Sequence, residues 1–143
     1  MENETVPAAI AKSLWLNSAY VSRQLDNSLG TIHGIGLTEY MVLRSLARAP
    51  DKAQRRIDVA EAIQRTASGI TRLLRPMEKI GLVTRETGHR DARVSLVKIT
   101  ATGEQILEDA TVTLNHRSEQ LLKNLGAGEA DTLLALLTSV RGV

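Results

Sequence analysis

Apolar residues recur at helical spacing in six separate stretches of this chain and alternate with polar ones in two short stretches between them. Ala8 to about Leu29 reads as a helix on the spacing of Ile10, Leu14, Val21 and Leu25, with Gly30 and Gly34 expected to break it. A second helix is predicted from Leu37 to Ala47. Gly36 takes its N-cap position, Glu39 falls at the third helical position, and Ile35 and Tyr40 are spaced for a hydrophobic staple. Val42, Leu43 and Leu46 give it a buried side, and Pro50 with Asp51 closes it in a turn. Ile57 to Ile63 is a short helix buried through Val59, Ala60 and Ile63, and Gln64-Arg65-Thr66 is the turn after it.

The next helix, about Thr66 to Ile80 with Thr66 as its cap, divides into two faces. Ile70, Leu73, Leu74, Met77 and Ile80 form an apolar stripe, whereas Ser68, Arg72, Arg75 and Lys79 share the opposite stripe, with Thr71 beside it. Pro76 removes one hydrogen bond in the second half of this helix, and Gly81 is a natural stop. Leu82 to Glu86 and Arg93 to Val97 read as paired strands, joined by a tip over Thr87 to Ala92. Thr100 caps a long helix expected over Ala101 to Leu125, and a last helix is predicted over Glu129 to Val140. The order is helix, turn, helix, hairpin. It predicts a mainly α fold with a small β-hairpin wing, a winged helix-turn-helix flanked by N- and C-terminal helices, to which the resemblance given below assigns dimerisation. A single domain spans 1–143, with the winged lobe over 34–99 and the helical dimerisation region over 1–30 and 100–143.

Composition adds limits. Hydrophobic residues make up 43% and charged residues 24%, a globular balance that excludes a disordered chain. No apolar run approaches the roughly 18 residues of a membrane span, and the first residues lack a basic-then-apolar leader, so a cytoplasmic protein of bacterial type is expected. The absence of cysteine excludes disulfides, thiolate metal sites and thiol redox switches. The Asn3-Glu4-Thr5 sequon is a chance match in such a chain.

Net charge is only +2, but its distribution is uneven. Between Arg44 and Lys98 there are 13 Lys and Arg against 6 Asp and Glu, which leaves 5 basic and 10 acidic residues for the ends. A basic middle on an acidic scaffold fits a polyanion-binding module.

A helix entering a major groove needs short polar groups near its start and basic groups along its exposed side. Ser68, Thr71, Arg72 and Arg75 meet that need, and Thr66 caps the same helix. Gly69 allows close approach of the backbone, and the first amides of the helix suit a phosphate. The tip offers His89, Arg90 and Arg93, and arginine on a thin wing suits the minor groove. Asp91 is out of place beside phosphate. It is expected to position an arginine, either Arg72 or Arg93, or else to serve the turn itself. An enzyme is not expected: His33, His89 and His116 lie in separate elements, no nucleophile or phosphate-loop motif occurs, and no cofactor or metal is implied. The rival to a DNA-binding reading is a winged-helix protein-interaction module.

The stretches ASGITRLLRPMEKIGLVTRE and RDARVSLVKITATG resemble the MarR (multiple antibiotic resistance regulator) family of winged-helix repressors, and the likeness runs from about Gly34 to Val140. It implies a homodimer on palindromic double-stranded DNA, released in many members by a small anionic or aromatic, often phenolic, ligand. By the same resemblance Ser68, Thr71 and Arg72 are helix contacts, Arg93 is the minor-groove residue and Asp91 its partner. The first helix and the last two make the dimer. A ligand pocket is implied between the dimer-forming helices and the lobe, with Trp15, Tyr20 and His33 as liners by type and place. Gly36 departs from the Ser or Thr cap common in the family, and the missing cysteine sets the chain apart from its peroxide-sensing branch.

Overall fold

A computed structural model describes residues 3–88 and 90–142; His89, one of the three tip residues singled out above, lies outside them. The first helix, α1 (Val6–His33), begins at Thr5, whose hydroxyl accepts from the Ala8 amide at 3.3 Å. It does not stop at Leu29. Gly30 is carried inside the helix, because Leu25 and Leu29 in the turn before it are buried and outweigh a mid-helix glycine's roughly 1 kcal/mol cost. The stop comes at Gly34, which turns left-handed at φ 72° and returns its N–H to the Gly30 carbonyl at 3.1 Å.

The second helix, α2 (Leu37–Arg48), starts at Gly36 as expected, although glycine has no side chain with which to cap. Two carboxylates take over. Glu39 accepts from the Gly36 amide at 3.1 Å, and Asp26 of α1 accepts from the Leu37 amide at 2.6 Å. The missing Ser or Thr is thus replaced by a group on the preceding helix, which joins α1 to the lobe.

A tight turn at Pro50–Lys52 leads into β1 (Ala53–Gln54), then α3 (Arg56–Ala62) and α4 (Ala67–Lys79). The hairpin is β2 (Val83–Thr87) and β3 (Ser95–Ile99), and the sheet has three antiparallel strands in the order β1-β3-β2. The hairpin therefore sits one to two residues later than its alternation suggests, pairing Val83 with Ile99 and Thr87 with Ser95. Arg93 is excluded from the ladder because Asp91 already takes its amide at 3.0 Å. Ile80 is a second departure, 65% exposed rather than part of the stripe. It follows the last helical residue with φ −91° and ψ 4°, so its side chain leaves the line set by Met77.

The chain then forms α5 (Ala101–Leu121) and α6 (Glu129–Val140). α5 ends four residues earlier than predicted, where Asn124 and Gly126 follow and residues 122–125 close in a turn. Its start is locked to the lobe. The Thr100 hydroxyl accepts from Gly103 at 3.0 Å and donates to the Gly81 carbonyl at 2.6 Å. Gly103 is obligatory there, because a Cβ would run into the Leu82 carbonyl.

The core lies inside the lobe. Val42, Leu43, Leu46, Val59, Ile70 and Met77 are fully or almost fully buried, with Leu82, Val97 and Ile99 beneath them from the sheet side and Ala110 from α5. Each such aliphatic side chain contributes about 1.5–3 kcal/mol by leaving water. The terminal regions are different. No residue of α6 is buried, and Trp15, Leu16, Leu134, Leu136 and Val140 are each more than 60% exposed.

Candidate nucleic-acid interface

The geometry of the exposed side of α4 starts with its cap. Thr66 Oγ1 accepts from the Gly69 amide at 3.1 Å and lies 3.4 Å from Ser68 Oγ. Thr66 and Gly69 are therefore committed to each other, and the amides of Ala67 and Ser68 are the ones without a protein acceptor among the described residues. Thr71 is half-buried. Its hydroxyl donates to the Ala67 carbonyl at 3.2 Å and receives Arg56 Nη1 at 3.5 Å.

Ser68, Arg72 and Arg75 are exposed, one turn after another along the helix. Neither Arg72 nor Arg75 has an acidic partner among the described residues. Five of the other lobe cations have carboxylate partners: Arg55 with Asp58 at 3.0 Å, Arg85 with Glu78 at 3.2 Å, Lys52 with Glu104 at 2.6 Å, Arg93 with Asp91 at 3.1 Å and Lys98 with Glu86 at 3.5 Å. The Arg55 pairing is strong enough to hold its guanidinium pKa above the ordinary value, first through the hydrogen bond to Asp58 and then through that carboxylate's charge. Two unpaired guanidinium groups thus stand one turn apart on the outward side of α4, where an incoming phosphate or guanine edge displaces only water.

The wing tip is built around Asp91. One carboxylate oxygen receives both the Arg93 amide at 3.0 Å and its Nε at 3.1 Å, and the other receives an Arg93 terminal nitrogen at 3.1 Å. Of the two arginines considered for Asp91, the structure pairs it with Arg93. The Arg93 side chain lowers the Asp91 pKa, its backbone amide lowers it further, and Asp91 in turn raises that of Arg93. Arg93 remains 90% exposed, so the pair orients the guanidinium without hiding it. Arg90 is exposed beside it.

Two contacts missed by the sequence reading tie these parts together. Arg85 on β2 reaches Glu78 on α4, and Arg56 at the start of α3 reaches Thr71 on α4. The adjacent arginines at 55 and 56 were the available signal for the second. Nothing in the spacing of Glu78 and Arg85, seven apart across a helix end, marks the first.

Trp15, Tyr20 and His33 do not converge within one subunit. They lie on one continuous helix, so Trp15 and His33 stand about 27 Å apart along its axis. Trp15 and Tyr20 are 73% and 51% exposed, whereas His33 shares a 2.6 Å hydrogen bond with Thr113. Tyr40 OH similarly meets Thr111 at 2.8 Å, so α1 and α2 are each fastened to α5 by a polar contact. Among the described residues no cluster of side chains is arranged to hold a metal, and no helix is long and apolar enough to cross a membrane.

Residues 35–95 match the profile of the MarR family. The fold superimposes on the transcriptional regulator BldR from Sulfolobus solfataricus with a TM-score of 0.86, at 20% identity over 100% of both chains. A variant of MarR from E. coli complexed with operator DNA is 26% identical, with a TM-score of 0.82 over 94% of each chain. Sco3205, a MarR family transcriptional regulator from Streptomyces coelicolor in complex with DNA, is 20% identical, with a TM-score of 0.83 over 98% of this chain and 89% of its own.

Proposed function

Residues 35–95 make this chain a member of the MarR family of transcriptional regulators, and from that premise we propose that two copies bind a pseudo-palindromic operator as a repressor. The observation that carries the proposal is the pair of unmatched arginines, Arg72 and Arg75, on the outward side of a capped helix beside a wing arginine already aimed by Asp91. In this reading Ser68, Arg72 and Arg75 meet base edges and phosphates in the major groove, Arg90 and Arg93 reach the adjacent minor groove, and Thr66, Gly69 and Thr71 hold the helix start in shape. An arginine bridging guanine O6 and N7 contributes about 1–3 kcal/mol of discrimination.

Pairing follows from the terminal helices. α6 has no buried residue of its own, and the first half of α1 shows Val6, Ile10, Trp15 and Leu16 to solvent. Apolar surface on that scale calls for a second subunit. A two-fold pair would set its two α4 helices about 34–36 Å apart, one turn of duplex. Release by a small anionic or aromatic ligand would act at the junction where His33 and Tyr40 bond to α5, since movement there changes the spacing of the two lobes. Such a ligand must bind the two spacings with different affinity.

Capture and sequencing of genomic fragments by the purified protein tests this. Recovery of an inverted repeat with half-sites about 10 base pairs apart, bound with a steep loss of affinity in salt, is expected. Fragments without two-fold symmetry would count against it.

A further inference from the structure

One concavity of the lobe is lined by no residue of α4 and is not accounted for by DNA binding. It lies between α2, α3 and the base of the wing and has a volume of about 690 Å³, inside the roughly 300–1,000 Å³ range of small-molecule sites. α2 contributes Met41, Arg44, Ser45 and Arg48, which share one helical stripe. Ser45 is held in place by Gln54, whose side-chain oxygen receives its hydroxyl at 2.7 Å. The remaining walls are largely apolar, with Ala53, Ala62, Ile63 and Leu96 among them.

Charge decides what such a cleft accepts. Its one acidic lining residue, Asp58, is already engaged by Arg55 through contacts of 3.0 and 3.3 Å. Arg44 and Arg48 have no acidic partner among the described residues. Two cations four residues apart on a helix repel each other. The negative end of the helix dipole accounts for Arg48 in the last turn, but its influence does not extend to Arg44 a turn earlier. An anion between them relieves the repulsion, and the apolar walls favour one with a hydrocarbon body.

We propose that this cleft binds an organic carboxylate with an extended apolar body, its carboxylate bridged by Arg44 and Arg48 and its body laid against Ala53, Ala62 and Leu96. The site stands whether or not the chain pairs on an operator.

The test uses the full chain and sodium decanoate below its micellar concentration, followed by amide shifts in NMR and by calorimetry. Saturable binding is expected, with shifts centred on Ala53 and Ala62. The double variant Arg44→Gln/Arg48→Gln should weaken it by about tenfold or more while keeping its thermal midpoint. Ala62→Glu, at an exposed helical position, should do the same by placing a carboxylate inside the cleft. Inorganic phosphate should bind more weakly than decanoate because it lacks the apolar body. Unsaturable decanoate binding, shifts confined to α1 and α5, or undiminished affinity in both variants would overturn the proposal. So would phosphate binding as tightly as decanoate. Duplex DNA that displaced decanoate, and lost affinity through the double variant, would assign the two arginines to nucleic acid instead.

Discussion

The lobe and the terminal helices bury apolar residues to opposite degrees. Within the lobe, Val42, Leu43, Leu46 and Val59 are completely enclosed, and each element covers its neighbour. In α6, Leu133, Leu134, Leu136, Leu137 and Val140 are all at least 38% exposed, although the helix is as rich in leucine as any in the chain. The first is closed within one chain, and the second leaves its apolar side open. Stability of the lobe is therefore set by the single chain, whereas the terminal helices depend on what covers them.

The strongest way to break the comparison is to damage the closed part. Leu43→Ala should cost about 2–5 kcal/mol of unfolding free energy, measured by denaturant titration, because the enclosed site cannot collapse around the cavity. The same kind of change on α6 should act differently. Leu134→Glu with Leu136→Glu should leave the circular dichroism of the lobe intact yet yield a single subunit in sedimentation. Operator affinity should then fall by about a hundredfold, since two linked half-sites lose their mutual reinforcement. A variant that still sedimented as a pair would place the dimer surface elsewhere.

Smaller effects sharpen the contrast within the lobe itself, between matched and unmatched cations. Arg72→Ala should weaken operator binding by about 1–3 kcal/mol and relax preference at one base position, read in a binding-site selection. Arg85→Ala, which breaks an exposed pair with Glu78, should change unfolding free energy by under about 1 kcal/mol.

Asp91→Asn should lower operator affinity several-fold without moving the thermal midpoint, because the pair it breaks is exposed and orients a side chain rather than supporting the core. The pH dependence has a definite sign. The Asp91 pKa is depressed by Arg93, so the pairing is complete above the ordinary carboxylate value of about 3.9 and is lost only as pH falls through the lowered value. Between about pH 5 and 8 the Asp91 carboxylate should therefore show no titration. A titration of the Asp91 carboxyl carbon resonance within that window would contradict the assignment.

Much of this was legible in the chain because local chemistry and global packing agree. The cap at Thr66 and the break at Gly81 mark the two ends of α4, and the split faces mark the helix between them. Asp91 was legible as a misplaced acid, and the structure resolved which arginine it holds. β1 was not legible, since two residues carry no alternation and exist as a strand only through pairing with Val97 and Lys98. The offset of the hairpin escaped notice because Arg93-Val94 alternates like a strand, while the bond that excludes Arg93 comes from a side chain. Trp15 and Tyr20 were grouped with His33 by residue type, and the unbroken course of α1 through Gly30 is what separates them.

The central claim concerns geometry: two α4 helices at a fixed spacing on one duplex. Equilibrium binding to the captured operator should be compared with binding to the same sequence lengthened between its half-sites by about five base pairs, half a helical turn. The lengthened site should lose at least about a hundredfold in affinity, because one helix would then face the wrong side of the duplex. Equal affinity for both duplexes would contradict the account.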